Sequence, residues 1–214
     1  MINSKLHRSS IFKIMLIFIV LILSANQFMS QSNIHTVPQS ISKEASKALS
    51  YFPELKDVDI TFKFKTHIKK STMQAQPKFG SFFRSRSKRS YVVLINKNIK
   101  IADKEFRTED IPKDVMIGWL GHELGHIIDY QKKSNLELLW FGVTYLTSDN
   151  HIKEAERAAD TYAVSHGMAD YILKTKNFIL NHAEIDDNYK MRIKKYYLSP
   201  EEIMAIVEKV TVAD

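Results

Sequence analysis

The stretch GWLGHELGHIIDY, residues 118–130, constrains this chain more than any other. Ile117, Trp119, Leu120, Leu124, Ile127 and Ile128 make it apolar enough for a core helix, yet His122, Glu123 and His126 stand in its middle. Burying ionisable groups unpaired is costly, so a fold that buries this helix must compensate them. Positions i and i+4 lie on one helical face, so His122 and His126 project side by side. Two imidazoles there converge on one metal ion, and zinc accepts nitrogen ligands at about 2.0–2.1 Å. Glu123 is turned roughly 100° from His122, near enough to reach a water at such an ion without ligating it.

Two ligands do not complete a site, because catalytic zinc takes three protein ligands and a water. The continuation H-E-x-x-H-x-x-G-x-x-H fails, since Asp129 and Lys132 occupy the corresponding positions. The chain has no cysteine, which excludes thiolate ligands, thiol catalysis, disulfides and a lipoprotein-type anchor. A downstream glutamate remains. Residues 154–160 read EAERAAD, and Glu156 and Asp160 are again i and i+4. Glu156 is expected as the third ligand, with Asp160 accepting a hydrogen bond from a ligand histidine. Glu154 is the rival ligand but has no carboxylate four residues later. Ala155, Ala159 and Ala163 form a small-residue stripe that lets this helix pack closely on the first.

HELGH followed by E-x-x-A-D resembles the gluzincin zinc metallopeptidases, and the short layout is similar to their minimal members. The resemblance covers roughly residues 40–170. It implies a zincin-like fold, one Zn2+ held by His122, His126 and Glu156, and peptide hydrolysis with Glu123 as general base. It also implies that SYVVLINK, just upstream of the HELGH helix, lies along the cleft and pairs with extended substrate. Gluzincins often take a second oxyanion donor from a downstream His, Tyr or Arg. The candidates here are His166, His182, Tyr189, Arg192, Tyr196 and Tyr197, and the sequence does not choose among them. Asp129 reads as a supporting acid beside the histidines or as plain helix surface, and His151 as a helix-start residue.

The rest of the chain reads as α+β. Residues 38–51 have helical spacing, with Ile41, Ala45 and Leu49 on one side, and Pro53 ends them. In DVDITFKFK, Val58, Ile60, Phe62 and Phe64 alternate with polar residues, which predicts a half-buried strand. A short strand is expected near Met73–Gln76 and a clear one in SYVVLINKN, giving a small antiparallel sheet. From Pro112 onward helices follow. One runs to about Lys132, and one covers the apolar segment 134–147, too short to span a bilayer and expected to wall the core. The next closes at Gly167, and the last opens with Ser199, Pro200 and Glu202 as a capping box.

Lys5, Arg8 and Lys13 precede the ten-residue apolar run 14–23, and small polar residues follow. This describes a secretory signal peptide over 1–25, with an uncleaved N-terminal anchor as the alternative. Residues 26–37 then read as a short linker and 38–214 as a single domain. The formal charge is +7, concentrated in residues 60–102, where eleven Lys and Arg occur with no acid. That block is expected to be a solvated face, with acidic substrates, an anionic membrane or nucleic acid as conceivable contacts. No nucleic-acid-binding motif accompanies it. The sequence therefore supports an exported zinc metallopeptidase acting on protein or peptide. The competing readings are a catalytically idle zincin-fold module docking a partner through its basic face, and a DNA-associated HExxH protease, which the leader opposes.

Overall fold

Short alternating segments give strands and one long apolar segment gives the helix around which they assemble. The computed structural model describes residues 34–66, 68, 71–101, 104–181, 185 and 187–213; the leader 1–25 and the candidate His182 lie outside the described residues. Strand β1 (His35–Thr36) leads through a 3-10 turn to α1 (Ser42–Leu49), which buries Ala45 and Ala48, with Ile41 buried just ahead of it. Strands β2 (Ile60–Lys65), β3 (Met73–Pro77) and β4 (Tyr91–Asn96) follow. A hairpin, β5 (Asn98–Ile101) and β6 (Lys104–Arg107), precedes the helices. The helices are α2 (Lys113–Lys132), α3 (Asn135–Thr147), α4 (Asp149–Ala163), α5 (Ala169–Asn181), α6 (Asp187–Tyr196) and α7 (Pro200–Ala213). The architecture is α+β. No helix among the described residues is long and apolar enough to cross a membrane.

The sheet departs from the expected antiparallel arrangement. Its order is β1-β2-β4-β3, with β1-β2 and β2-β4 parallel and only β3-β4 antiparallel. Alternation reports which side chains of a strand are buried and carries no information on strand direction. His35 and Thr36 pair with Ile60 and Thr61, so a segment read as linker belongs to the sheet. SYVVLINK is not the edge: β4 lies between β2 and β3, which explains why Tyr91, Val93 and Ile95 are all fully buried. The edge is β3. The hairpin β5-β6 had no counterpart in the sequence reading.

Helix α2 is central. Every residue from Val115 to Tyr130 is buried, as expected of a helix apolar all round. Close approach on two sides depends on glycine. A Cβ on Gly118 would lie 2.1 Å from Thr175 Oγ1 and 2.4 Å from the Tyr171 carbonyl oxygen of α5. A Cβ on Gly125 would lie 2.3 Å from the Ala159 carbonyl oxygen of α4. Ala155, Ala159 and Ala163 are buried, in keeping with the small-residue stripe. The C-terminus of α2 is closed by Arg89, whose Nη1 donates to the Tyr130 and Lys133 carbonyls at 3.0 Å and whose Nη2 donates to Asn135 Oδ1. Arg89 is therefore a buried tie, unlike its basic neighbours.

Helix α4 runs into Gly167, which adopts φ 85° and turns the chain into α5. Helix α7 starts with the expected capping box: Ser199 N donates to Glu202 Oε2 and Glu202 N to Ser199 Oγ. Glu202 also accepts both Nη atoms of Arg157, which joins α7 to α4. Helix α3 contradicts its expected role. Leu138 and Thr144 are buried, but Leu136, Leu139, Trp140, Val143 and Leu146 are exposed, Leu136 and Leu146 by about four-fifths.

Gly125→Ala is expected to destabilise the fold by about 1–3 kcal/mol, because backbone must move to admit the methyl group; chemical denaturation measures it. The Arg157 hydrogen bonds, followed by the Ser199 N–H, lower the Glu202 pKa from its ordinary 4.5 to about 2. A depressed carboxyl stabilises above its unfolded pKa and ceases to as pH falls through the folded one. Glu202→Gln should thus cost up to about 1 kcal/mol near neutrality, the pair being solvent-screened. The difference from the parent should close between pH 4.5 and 2 in an acid titration of stability.

Candidate metal centre

Helix geometry puts His122, Glu123 and His126 on the buried length of α2, and the glycine contact brings α4 alongside. Glu156 and Asp160 of α4 are 3% and 1% exposed, whereas the rival Glu154 side chain is 74% exposed and bonds His151 in the first turns of α4. Glu156 Oε2 lies 3.0 Å from His122 Nε2 and 3.4 Å from His126 Nε2. The three ligand atoms fall within 4.8 Å of one another. Atoms sharing a tetrahedral zinc at 2.0–2.1 Å stand ~3.3 Å apart, so the triad fits such an ion. Asp160 Oδ1 accepts from His122 Nδ1 at 2.9 Å, which leaves Nε2 as the ligating atom. His126 Nδ1 is buried with no hydrogen-bond partner among the described residues, so nothing equivalent fixes that ring.

Charge supports the same fit. Glu123, Glu156 and Asp160 are buried carboxylates, and Lys176 is a buried ammonium 2.7 Å from Asp160 Oδ2. With neutral imidazoles two negative charges remain uncompensated, which a divalent cation would balance. The demand for positive charge shows in His122. Burial pushes its pKa down, but the hydrogen bonds to Asp160 and Glu156 override burial and raise it to about 10. Burial likewise pushes Glu156 up, and its bonds to His122 and His126 hold it well below the usual carboxylate range. Burial alone dominates at Glu123, whose pKa is raised.

Several contacts had not been read from the sequence. Lys176 lies on the apolar stripe of α5 between the buried Ile172 and Ile179, and a lysine interrupting such a stripe was the available signal. Asp160 Oδ2 also accepts Leu198 N–H at 3.0 Å, so one carboxylate joins α2, α5 and the segment before α7. Tyr145 of α3 donates to Glu156 Oε1 at 2.5 Å. Glu123 Oε2 accepts the Ala75 N–H of β3 at 2.5 Å, and Tyr130 donates to the Ala75 carbonyl at 3.3 Å. The sheet edge at Ala75 is therefore held by α2.

The oxyanion candidates separate clearly. Tyr189 and Ile193 of α6, with Tyr197 just beyond its end, line a cavity of about 40 Å³ together with His122, Glu123 and Asp160. Tyr189 shares a 3.0 Å hydrogen bond with Thr72, and Tyr197 packs on the His122 ring at 5.2 Å. Arg192 packs on Tyr196 at 5.4 Å and is absent from the cavity lining. His166 does not reach the cavity: it stacks on Phe52 at 4.7 Å and bonds Glu54 and the Tyr162 carbonyl. Tyr196 is engaged by Asp149, and Asp129 pairs with Lys133 rather than with either histidine.

Glu156→Ala is expected to abolish stoichiometric metal binding, Glu154→Ala to leave it intact, and Asp160→Asn to weaken it ~10–100-fold; elemental analysis and chelator competition measure all three. No protein-family model, curated protein or solved structure matches the chain.

Proposed function

We propose that the chain is an exported zinc-dependent peptidase of the gluzincin type, with a zincin-like arrangement around its metal centre. The observation that carries the reading is the convergence of the buried His122, His126 and Glu156, with His122 lining the same small cavity as Glu123. His122 and His126 through Nε2, and Glu156 through Oε2, would hold the ion. A zinc ion so held supplies Lewis acidity, polarising a scissile carbonyl and lowering the pKa of water toward ~7.

Glu123 takes the proton of the attacking water on its carboxylate and passes it to the leaving amine. Its burial raises its pKa and so makes it a stronger base than an exposed glutamate. Tyr145 and Asp160 act as positioning residues, the first on Glu156 and the second on His122. Tyr189 is the oxyanion donor of choice, since its hydroxyl belongs to the same cavity as Glu123. Substrates are proteins or peptides, and the basic leader with its apolar run supports export.

A second reading has an observation in its favour. A cavity of about 40 Å³ holds a few waters, not a peptide, and Glu123 is tied to Ala75 N–H. Both suit a metal-stabilised module that docks a partner without hydrolysing it. Under the peptidase reading α6 has to yield for substrate to enter.

Glu123→Gln distinguishes the two. For a peptidase, cleavage of a denatured protein substrate should fall ~10²–10⁴-fold while zinc content is unchanged. A zinc-replete parent protein that cleaves none of a broad peptide library would favour the docking module.

A further inference from the structure

Helix α3 is apolar on two opposite sides. Its inner side carries Leu138 and Tyr145 toward the core, whereas Leu136, Leu139, Trp140, Val143 and Leu146 are exposed. At about 100° per residue these five lie within an arc of ~120°. No charged residue of α3 lies in that arc, since Glu137 is its only ionisable acid and it is engaged in the capping box with Ser134. Apart from Thr147 in the last turn the arc is apolar, and an apolar arc of this size seldom faces water without a partner.

The N-terminal end of α3 adjoins a second unusual surface. Residues 79–88 carry exposed Phe79 and Phe83 followed by exposed Arg84, Arg86 and Lys88. Two bonds tie this loop to α3: Asn135 Nδ2 donates to the Arg84 carbonyl, and Arg89 Nη2 donates to Asn135 Oδ1. Exposed aromatics, an apolar helix face with an outward tryptophan and a cluster of cations together match the interfacial zone of an anionic bilayer. A second copy of the chain fits less well, because two-fold pairing faces this patch with itself, and neither the apolar arc nor residues 79–88 hold an acid to meet the cations.

We propose that the outer face of α3, with the basic loop 79–88, docks on an anionic lipid surface, Trp140 and its leucines entering the headgroup region. Docking is parallel to the bilayer, as α3 has only 13 residues. The surface lies outside the metal centre and requires no catalysis.

The test is tryptophan fluorescence of the full chain with vesicles of phosphatidylcholine, with and without phosphatidylglycerol. The chain has two tryptophans, and Trp119 is buried, so Trp140 reports the surface. Phosphatidylglycerol vesicles should shift the emission to the blue and allow quenching by lipids brominated near the headgroup. Trp140→Phe should abolish both signals, and high salt should reduce them. Arg84→Gln, Arg86→Gln and Lys88→Gln should each weaken vesicle affinity ~5-fold. Leu136→Asn with Leu146→Asn, both at exposed positions, should weaken it without lowering the thermal midpoint.

Vesicle binding with no change at Trp140 would overturn the proposal and make the apolar run 14–23 the anchor. Emission that turns blue with rising protein concentration in buffer alone would overturn it in favour of a second copy. Emission already blue at every concentration would mean that another part of the chain covers α3.

Discussion

Two histidines on one helix and a glutamate on another can share an ion only if the helices nearly touch. Here that closeness rests on Gly125 meeting the Ala159 carbonyl. The contact spares the width of a side chain between α2 and α4, and the ligand separations of 3.0 and 3.4 Å follow from it. Asp160 then fixes what the backbone contact allows. It accepts from His122, Lys176 and Leu198 N–H, so three separate parts of the chain are held by one carboxylate. A buried anion with three donors is well satisfied, and losing any one donor would leave charge uncompensated. The candidate metal centre and the helical core are thus one structure, not a site added to a finished scaffold.

Much of this centre was legible because helical periodicity converts sequence spacing directly into direction. His122 and His126, and again Glu156 and Asp160, could be put on common faces from spacing alone. The choice of Glu156 over Glu154 agrees with burial, 3% exposed against a largely exposed rival side chain. The sheet was less legible. Alternation locates β2, and short strands are also expected at β3 and β4, but strand direction and order depend on pairings between distant segments, which no local pattern encodes. SYVVLINK was therefore misplaced at the edge, although its pattern was read correctly as a strand. Helix α3 misled for another reason. An apolar segment normally implies burial on all sides, and nothing in LELLWFGVTYL separates a core helix from one with a single buried face.

The roof of the cavity lies in the part of the chain that matched no motif. Tyr189 and Ile193 come from α6 and Tyr197 follows its last residue; of these the sequence offers only Tyr189 and Tyr197, among six candidate donors. Selecting between Tyr189 and His166 required tertiary packing, because both are compatible with a downstream donor in sequence. His166 is instead consumed by local contacts to Phe52, Glu54 and Tyr162. Burial raises the pKa of Tyr189 and Tyr197, so both remain neutral hydroxyls over the whole range in which a peptidase would work. They can donate hydrogen bonds, but they add no negative charge to a centre that already holds three carboxylates.

Helix α3 connects the surface to the His122–His126–Glu156 cluster by a short route. Tyr145 is nine residues beyond Leu136, which turns it about 180° around the helix axis. The side opposite the exposed apolar arc is therefore the side that donates to Glu156 Oε1. A helix held by a capping box at its start, by Arg89 and Asn135 at its junction with α2, and by Tyr145 on its inner face has little freedom to reorient alone. A surface that bound its outer face would thus bear on a residue one hydrogen bond from the triad. The apolar arc and the Tyr145 hydroxyl that bonds Glu156 occupy opposite sides of the same 13 residues, so a substitution chosen to alter one can leave the other untouched only if it respects that division.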